Sequence, residues 1–194
     1  MKICIVGCGA IGSIFGAHLA RVEGIEVHAY DVSQAHVDAI NRNGLRISGA
    51  ADFTARLHAT TDAKQIPPCE YGIVATKSTH TRPAIAQTAH VFAQNGAVCS
   101  VQNGVGNEEI IAEQVKLVIR GTTFPAGHII EPGVVGFDIK GDTWIGPFEP
   151  TKTPMARVNE LAAALNRSGL NVIPLEDARG AQWTKLIFNA STNP

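Results

Sequence analysis

Charge of one sign is missing from this chain: 16 lysines and arginines stand against 17 acidic residues in 194, for a formal net charge of −1. Such a balance makes no field that would gather nucleic acid or an anionic membrane surface, so neither is expected as a partner. Cysteine is scarce as well. Cys4, Cys8, Cys69 and Cys99 are too few for a disulfide framework at this length and form no C-x-x-C pair, so they are expected as small, reduced, buried side chains. No apolar run approaches the roughly 18 residues of a membrane span. The first strand begins at Lys2, with no room for a signal peptide before it, and a cytoplasmic protein is expected. The seven histidines lack H-E-x-x-H spacing and no G-x-S-x-G elbow occurs, so neither a metal nor a serine nucleophile is predicted.

Glycine, by contrast, is plentiful at 19 residues, and its placement punctuates a repeating pattern. Lys2–Val6 (KICIV) is a nearly continuous apolar run, as for a strand buried on both faces of a parallel sheet. A glycine turn follows, then helical spacing over 11–22 that stops at Gly24. Residues 25–30 predict a strand, and 33–43 a helix capped by Ser33 with Gly44 past its end. The alternation over 45–48 and 53–58 predicts a solvent-facing hairpin. A strand over 71–76, a helix over 82–93, a strand over 97–101 and a helix over 107–115, its acidic first turn favoured by the helix dipole, continue the series. This order argues for a Rossmann-like α/β fold, a doubly wound and mostly parallel sheet. Over 118–148 short β-rich pieces separated by Glu131-Pro132-Gly133 and Gly141-Asp142 predict an antiparallel extension at one edge of that sheet. A helix over 154–167, a short strand over 170–174 and a last helix begun by Asp177 complete the chain.

The most informative motif is Gly7-Cys8-Gly9-Ala10-Ile11-Gly12, placed between the first strand and the first helix. There G-x-G-x-x-G has the context of a dinucleotide site: Gly7 for the tight turn, Gly9 for close approach of a pyrophosphate, Gly12 for packing of helix on sheet. The helix N-terminus adds free N–H groups and partial positive charge. Asp31 ends the second strand where a carboxylate grips the adenosine ribose, and no lysine or arginine follows over 32–40 to take a 2′-phosphate. A plain helix-capping aspartate is the competing reading. Lys77 and Asn103 stand in polar loops after the third and fourth buried strands, the usual ligand edge of such a sheet. Lys185, Asn189 and Asn193 share one face of the last helix, while Trp183, Leu186, Ile187 and Ala190 are expected to turn away and pack. Residues 1–176 are thus expected as one dinucleotide-binding domain, and 177–194 as the start of a linking helix.

Taken together, VGCGAIGS, the ATKS and VQNGVGNEE loops and the closing WTKLIFNASTNP resemble the ketopantoate reductases, or 2-dehydropantoate 2-reductases, over essentially the whole chain. The resemblance implies an oxidoreductase of pantothenate biosynthesis that uses NAD(P)H to reduce ketopantoate to pantoate. The reaction would take place in a cleft between an N-terminal dinucleotide-binding domain and a C-terminal helical domain. It implies Lys185 as the catalytic lysine and Asn189 and Asn193 as substrate holders. Asn103 would lie at the junction of cofactor and substrate, and Lys77 beside the cofactor. NADP(H) is the family default, whereas Asp31 followed by Val32 and Ser33 favours NAD(H) here. An NAD-dependent D-2-hydroxy acid dehydrogenase of the same family is therefore the alternative enzyme. The chain stops where the family's helical domain begins, so that domain is expected to be absent or truncated. A catalytically incomplete dinucleotide-binding module is the alternative of another class. The expected partners are a small 2-keto acid and a second copy in a homodimer.

Overall fold

Strand β1 (Lys2–Val6) sends Ile3 and Ile5 into one apolar cluster and Cys4 and Val6 into another, all four fully buried. Alternate side chains of a strand point to opposite faces, so both faces of β1 are covered. The computed structural model describes residues 1–93 and 95–192. After β1 the elements run α1 (Ala10–Leu19), β2 (Glu26–Tyr30), α2 (Gln34–Asn43), β3 (Leu45–Gly49), β4 (Phe53–Ala55), β5 (His58–Thr60) and β6 (Tyr71–Val74). They continue as α3 (Thr81–Thr88), β7 (Ala97–Ser100), α4 (Asn107–Ala112), β8 (Leu117–Thr123), β9 (Ala126–Glu131) and β10 (Val134–Ile139). The remainder is β11 (Asp142–Pro147), α5 (Met155–Arg167), β12 (Asn171–Pro174) and α6 (Arg179–Thr192). Eight strands form the main sheet in the order β12-β11-β8-β7-β6-β1-β2-β5. It is parallel from β8 to β5, and β11 joins antiparallel to β8. The doubly wound, mostly parallel sheet is as expected from the sequence.

Three details differ from the sequence pattern. Only β8 and β11 of the 118–148 stretch extend the main sheet; β9 and β10 join β3 and β4 in a second sheet, ordered β4-β3-β10-β9. That small sheet buries Leu45, Ile47, Val135 and Phe137 against α1, so the 45–58 hairpin faces solvent on one side only. Helix α1 is enclosed between the two sheets, and every residue from Gly12 to Leu19 is buried, which explains its apolar character all round. Second, 53–58 is not one strand: it breaks after Ala55, and His58–Thr60 pairs in parallel with β2 at the edge of the main sheet. Third, three helices, α1, α3 and α4, end earlier than their periodicity. After Leu19 the chain closes with bonds from Arg21 N–H to His18 and Val22 N–H to Leu19, a tightened last turn. In α3 the Thr88 hydroxyl donates to the Ala84 carbonyl at 2.9 Å and the chain continues as a 3-10 turn. All four cysteines are free and buried. Among the described residues no helix is long and apolar enough to cross a membrane.

Candidate active site

The chain reverses direction across the main sheet between β1 and β6, with β2 on one side of β1 and β6 on the other. Ligands of open α/β sheets sit beyond the carboxyl ends of the strands at such a reversal. Gly7 occupies this point with φ 88°, and a Cβ there would stand 2.5 Å from Thr76 Cγ2 in the loop after β6. A Cβ on Gly12 would collide with the Gly7 carbonyl oxygen. At Gly9 the situation is opposite: a Cβ would meet nothing within 4 Å. Gly9 precedes α1, which has no side-chain cap, so no side chain takes up its first-turn N–H groups at the positive end of the helix dipole.

The turn is braced from behind. The Ser13 hydroxyl donates to the Cys8 carbonyl at 2.8 Å, and His36 Nε2 stands 3.4 Å from the same hydroxyl. His36 Nδ1 accepts the Gly133 N–H at 3.0 Å, so the neutral ring carries its proton on Nε2 and donates it towards Ser13. Burial holds the His36 pKa below its ordinary value, consistent with that neutral form. Burial also pushes the Cys8 thiol up to about 12, which leaves it unreactive as a thiolate. The turn therefore rests on α2 and on the loop between β9 and β10, neither of which is near it in sequence.

Asp31 follows β2, and its Oδ1 accepts the Ser33 N–H at 2.8 Å. Capping of α2 falls to Ser33, whose hydroxyl accepts the His36 N–H. The second Asp31 oxygen has no hydrogen bond among the described residues. A cleft of about 330 Å³ opens beside the glycine turn and is lined by Ile11, Thr76, Lys77, Gln102, Asn103 and Lys185, among others. Lys77 is exposed at its rim. Buried Gln102 ties the floor together, its Nε2 donating to the Thr76 carbonyl at 2.9 Å and to the Thr81 hydroxyl at 2.8 Å. The backbone carbonyl of Asn103 accepts from Ser78 Oγ at 3.1 Å and from Asn107 Nδ2 at 3.2 Å, which holds this loop from two sides.

Lys185 enters the same cleft from α6. Its Nζ donates to the Thr123 carbonyl and lies 4.8 Å from the centre of the Phe124 ring. Burial without a carboxylate partner lowers its pKa from 10.5 to about 8. Asn189 is half-buried one turn further along and is not part of the cleft lining. Asn193 lies outside the described residues. The expectation that Trp183, Leu186, Ile187 and Ala190 turn away and pack is corrected: Trp183 and Ile187 are 53% and 63% exposed, Ala190 is exposed and Leu186 is only half-buried, and Phe188 beside them is 55% exposed. Only Gln182 of this helix is buried, because α6 meets the sheet through its first turns and then runs past β8.

Sequence reasoning missed Glu108. It stands in the acidic first turn of α4, the usual place for a solvated carboxylate, yet it is fully buried and burial raises its pKa. Its phase was a usable signal, since Glu108 lies one turn before buried Ile111 and so faces the sheet.

A family model for ketopantoate reductase PanE/ApbA matches residues 3–150. Over the whole chain the sequence is 37% identical to the 2-dehydropantoate 2-reductase of Pyrococcus horikoshii, of which it covers 62%. Among solved structures it is similar to a PanE/ApbA family ketopantoate reductase from Ralstonia eutropha, with 30% identity and a TM-score of 0.87 over all of this chain and 62% of that one. It is also similar to D-mandelate dehydrogenase in a ternary structure with NADH and anilino(oxo)acetate, with 26% identity, a TM-score of 0.90 and the same coverage. The chain thus spans about 62% of the length of these relatives.

Proposed function

Because the chain belongs to the ketopantoate reductase PanE/ApbA family, we propose that it forms the dinucleotide-binding and proton-donating part of an NAD(P)H-dependent 2-keto acid reductase acting on ketopantoate. The observation that carries this reading is the meeting of a half-buried lysine from α6 with the glycine turn and the Asn103 loop around one cleft. The residues present fit a nicotinamide dinucleotide: open space at Gly9, an uncapped helix start, and an acceptor oxygen on Asp31. In this assignment the main chain of Gly7, Cys8, Gly9, Ala10, Ile11 and Gly12 holds the pyrophosphate and Asp31 the ribose, with Lys77 and Asn103 beside the nicotinamide half. When bound, that group supplies a hydride.

Hydride addition to a ketone leaves negative charge on its oxygen. The Lys185 ammonium, directed into the cleft with its pKa drawn down to about 8, can stabilise that charge and then give up a proton. Asn103, Asn189 and Asn193 are assigned to the substrate carboxylate and hydroxyl groups. Residues 1–176 form the nucleotide-binding unit in this reading, and 177–194 deliver the proton donor. We favour NAD(H) over NADP(H), since a 2′-phosphate would meet the Asp31 carboxylate and then Val32, 83% exposed, with no cation through residue 40. The same feature supports a second reading, an NAD-dependent D-2-hydroxy acid dehydrogenase.

Steady-state kinetics of the full-length gene product with NADH and NADPH against ketopantoate and phenyl-substituted 2-keto acids test both readings. Preference for ketopantoate supports the first, and preference for the aromatic acid supports the second. Retained turnover by Lys185→Ala would overturn the donor assignment in either case. Dinucleotide binding by the 194-residue chain with no turnover on any of these acids would make it a binding module on its own.

A further inference from the structure

We propose that Gln182 is a positioning residue that sets where Lys185 stands, by locking the start of α6 to the Asn103-Gly104 loop; its effect on turnover, though not the positioning itself, rests on Lys185 being the proton donor. Gln182 is the one buried residue of α6 among those described, and both ends of its amide are engaged. Its Oε1 accepts from Arg120 Nη1 at 2.6 Å. Its Nε2 donates to Glu108 Oε1 at 2.9 Å and to the Gly104 carbonyl at 3.1 Å. These three partners belong to β8, to α4 and to the loop that carries Asn103.

A second tie closes the arrangement. Arg120 Nη2 reaches Glu149 Oε2 at 3.3 Å, and Glu149 Oε1 reaches Arg179 Nε at 3.1 Å in the first turn of α6. Gln182, Arg120 and Glu108 are 3%, 7% and 0% exposed, so the hub sits out of water. An apolar side chain of similar volume would anchor the helix without the cost of burying polar groups. An amide with three directed bonds adds what an apolar contact lacks: it defines the rotation of α6 about its own axis. Lys185 is three residues on, on the same face, so that rotation decides whether its amine meets Thr123 and the cleft. The exposed Trp183 and Ile187 give the helix no comparable hold.

The test reads the titration midpoint of Lys185 directly, by carbon-13 NMR of the reductively methylated 194-residue chain, with Lys185→Arg to assign the signal. The unsubstituted chain is expected to show a midpoint near 8. Gln182→Met keeps the volume and removes the hydrogen bonds; its midpoint should rise by a unit or more towards the ordinary lysine value. In the full-length product the same change should lower kcat at least tenfold and leave the KM for dinucleotide within twofold. Should Gln182→Met not fold, Gln182→Asn keeps an amide one methylene too short to reach Glu108 and Gly104 together, and is expected to shift the midpoint in the same direction. A folded variant with an unchanged midpoint overturns the proposal, even if its melting temperature falls. If the midpoint moves while Lys185→Ala retains full turnover, the donor assignment fails and the positioning of Lys185 by Gln182 stands.

Discussion

The glycine turn and the last helix supply the two sides of one cleft, and they are held in different ways. Gly12 is held close to the Gly7 carbonyl and Gly7 to the adjacent strand end at Thr76, while Gly9 meets nothing within 4 Å. The left-handed φ of Gly7 follows from its missing Cβ, which is a local property. Lys185 depends on Gln182, whose partners at Arg120, Glu108 and Gly104 lie 62, 74 and 78 residues away. A site assembled this way has one half whose bend the local backbone sets and distant residues only brace, and one half that exists only after the sheet has closed.

The contrast can be broken from either side. The largest effect is expected at the distant half: Lys185→Ala should lower kcat by about 10²–10⁴, the usual worth of a positioned proton donor, with dinucleotide affinity nearly unchanged in a titration. If Lys185 is the donor proposed above, keto acid reduction by the full-length product should run at a constant rate up to about pH 8 and fall about tenfold per unit above it, while the reverse reaction rises over the same range. The same lysine makes stability depend on pH. The folded chain releases this proton near 8 and the unfolded chain near 10.5, so the unfolded state binds more protons between them and folding gains stability as pH rises through that window.

Two alanine substitutions sharpen the local half. Gly12→Ala places a methyl against the Gly7 carbonyl and should cost about 1–3 kcal/mol in thermal or denaturant unfolding. Gly9→Ala points its methyl into open space, so the melting temperature should hold while NADH binding weakens about tenfold, near 1.4 kcal/mol. Equal binding by Gly9→Ala would remove the pyrophosphate from that position. If Asp31 holds the adenosine ribose as proposed, NADH should bind more tightly than NADPH and Asp31→Ala should narrow that gap by about tenfold in paired titrations. The smallest change is expected on the outer side of α6. There Trp183→Ser should move the stability of this chain by no more than about 0.5 kcal/mol, because the indole is already exposed.

The parallel half of the fold was readable because β1, β6 and β7 are short apolar runs followed by helices, and a strand buried on two faces has no other common composition. The antiparallel half was not. Alternation and turns show that 118–148 forms strands, but hairpin signals do not say which sheet a strand joins, and β9 and β10 leave the main sheet to enclose α1. The bend of Gly7 through Gly12 and the position of Asp31 followed from spacing. The burial of Glu108 did not, because a carboxylate in a first helical turn is favourable in water as well. Trp183, Ile187 and Ala190 were expected to pack and are exposed, because periodicity reports that a face is apolar and not what covers it.

Residue order alone determined the doubly wound sheet, the glycine bend at the head of α1 and the common face of Lys185 and Asn189, since each rests on backbone geometry or helical phase. Only the tertiary structure decided that the Lys185 amine reaches the mouth of the β1–β6 reversal, that Gln182 and Glu108 are buried, and that His36 backs the glycine bend. Those facts depend on hydrogen bonds between segments far apart in the chain, and such bonds leave no periodic trace in the sequence.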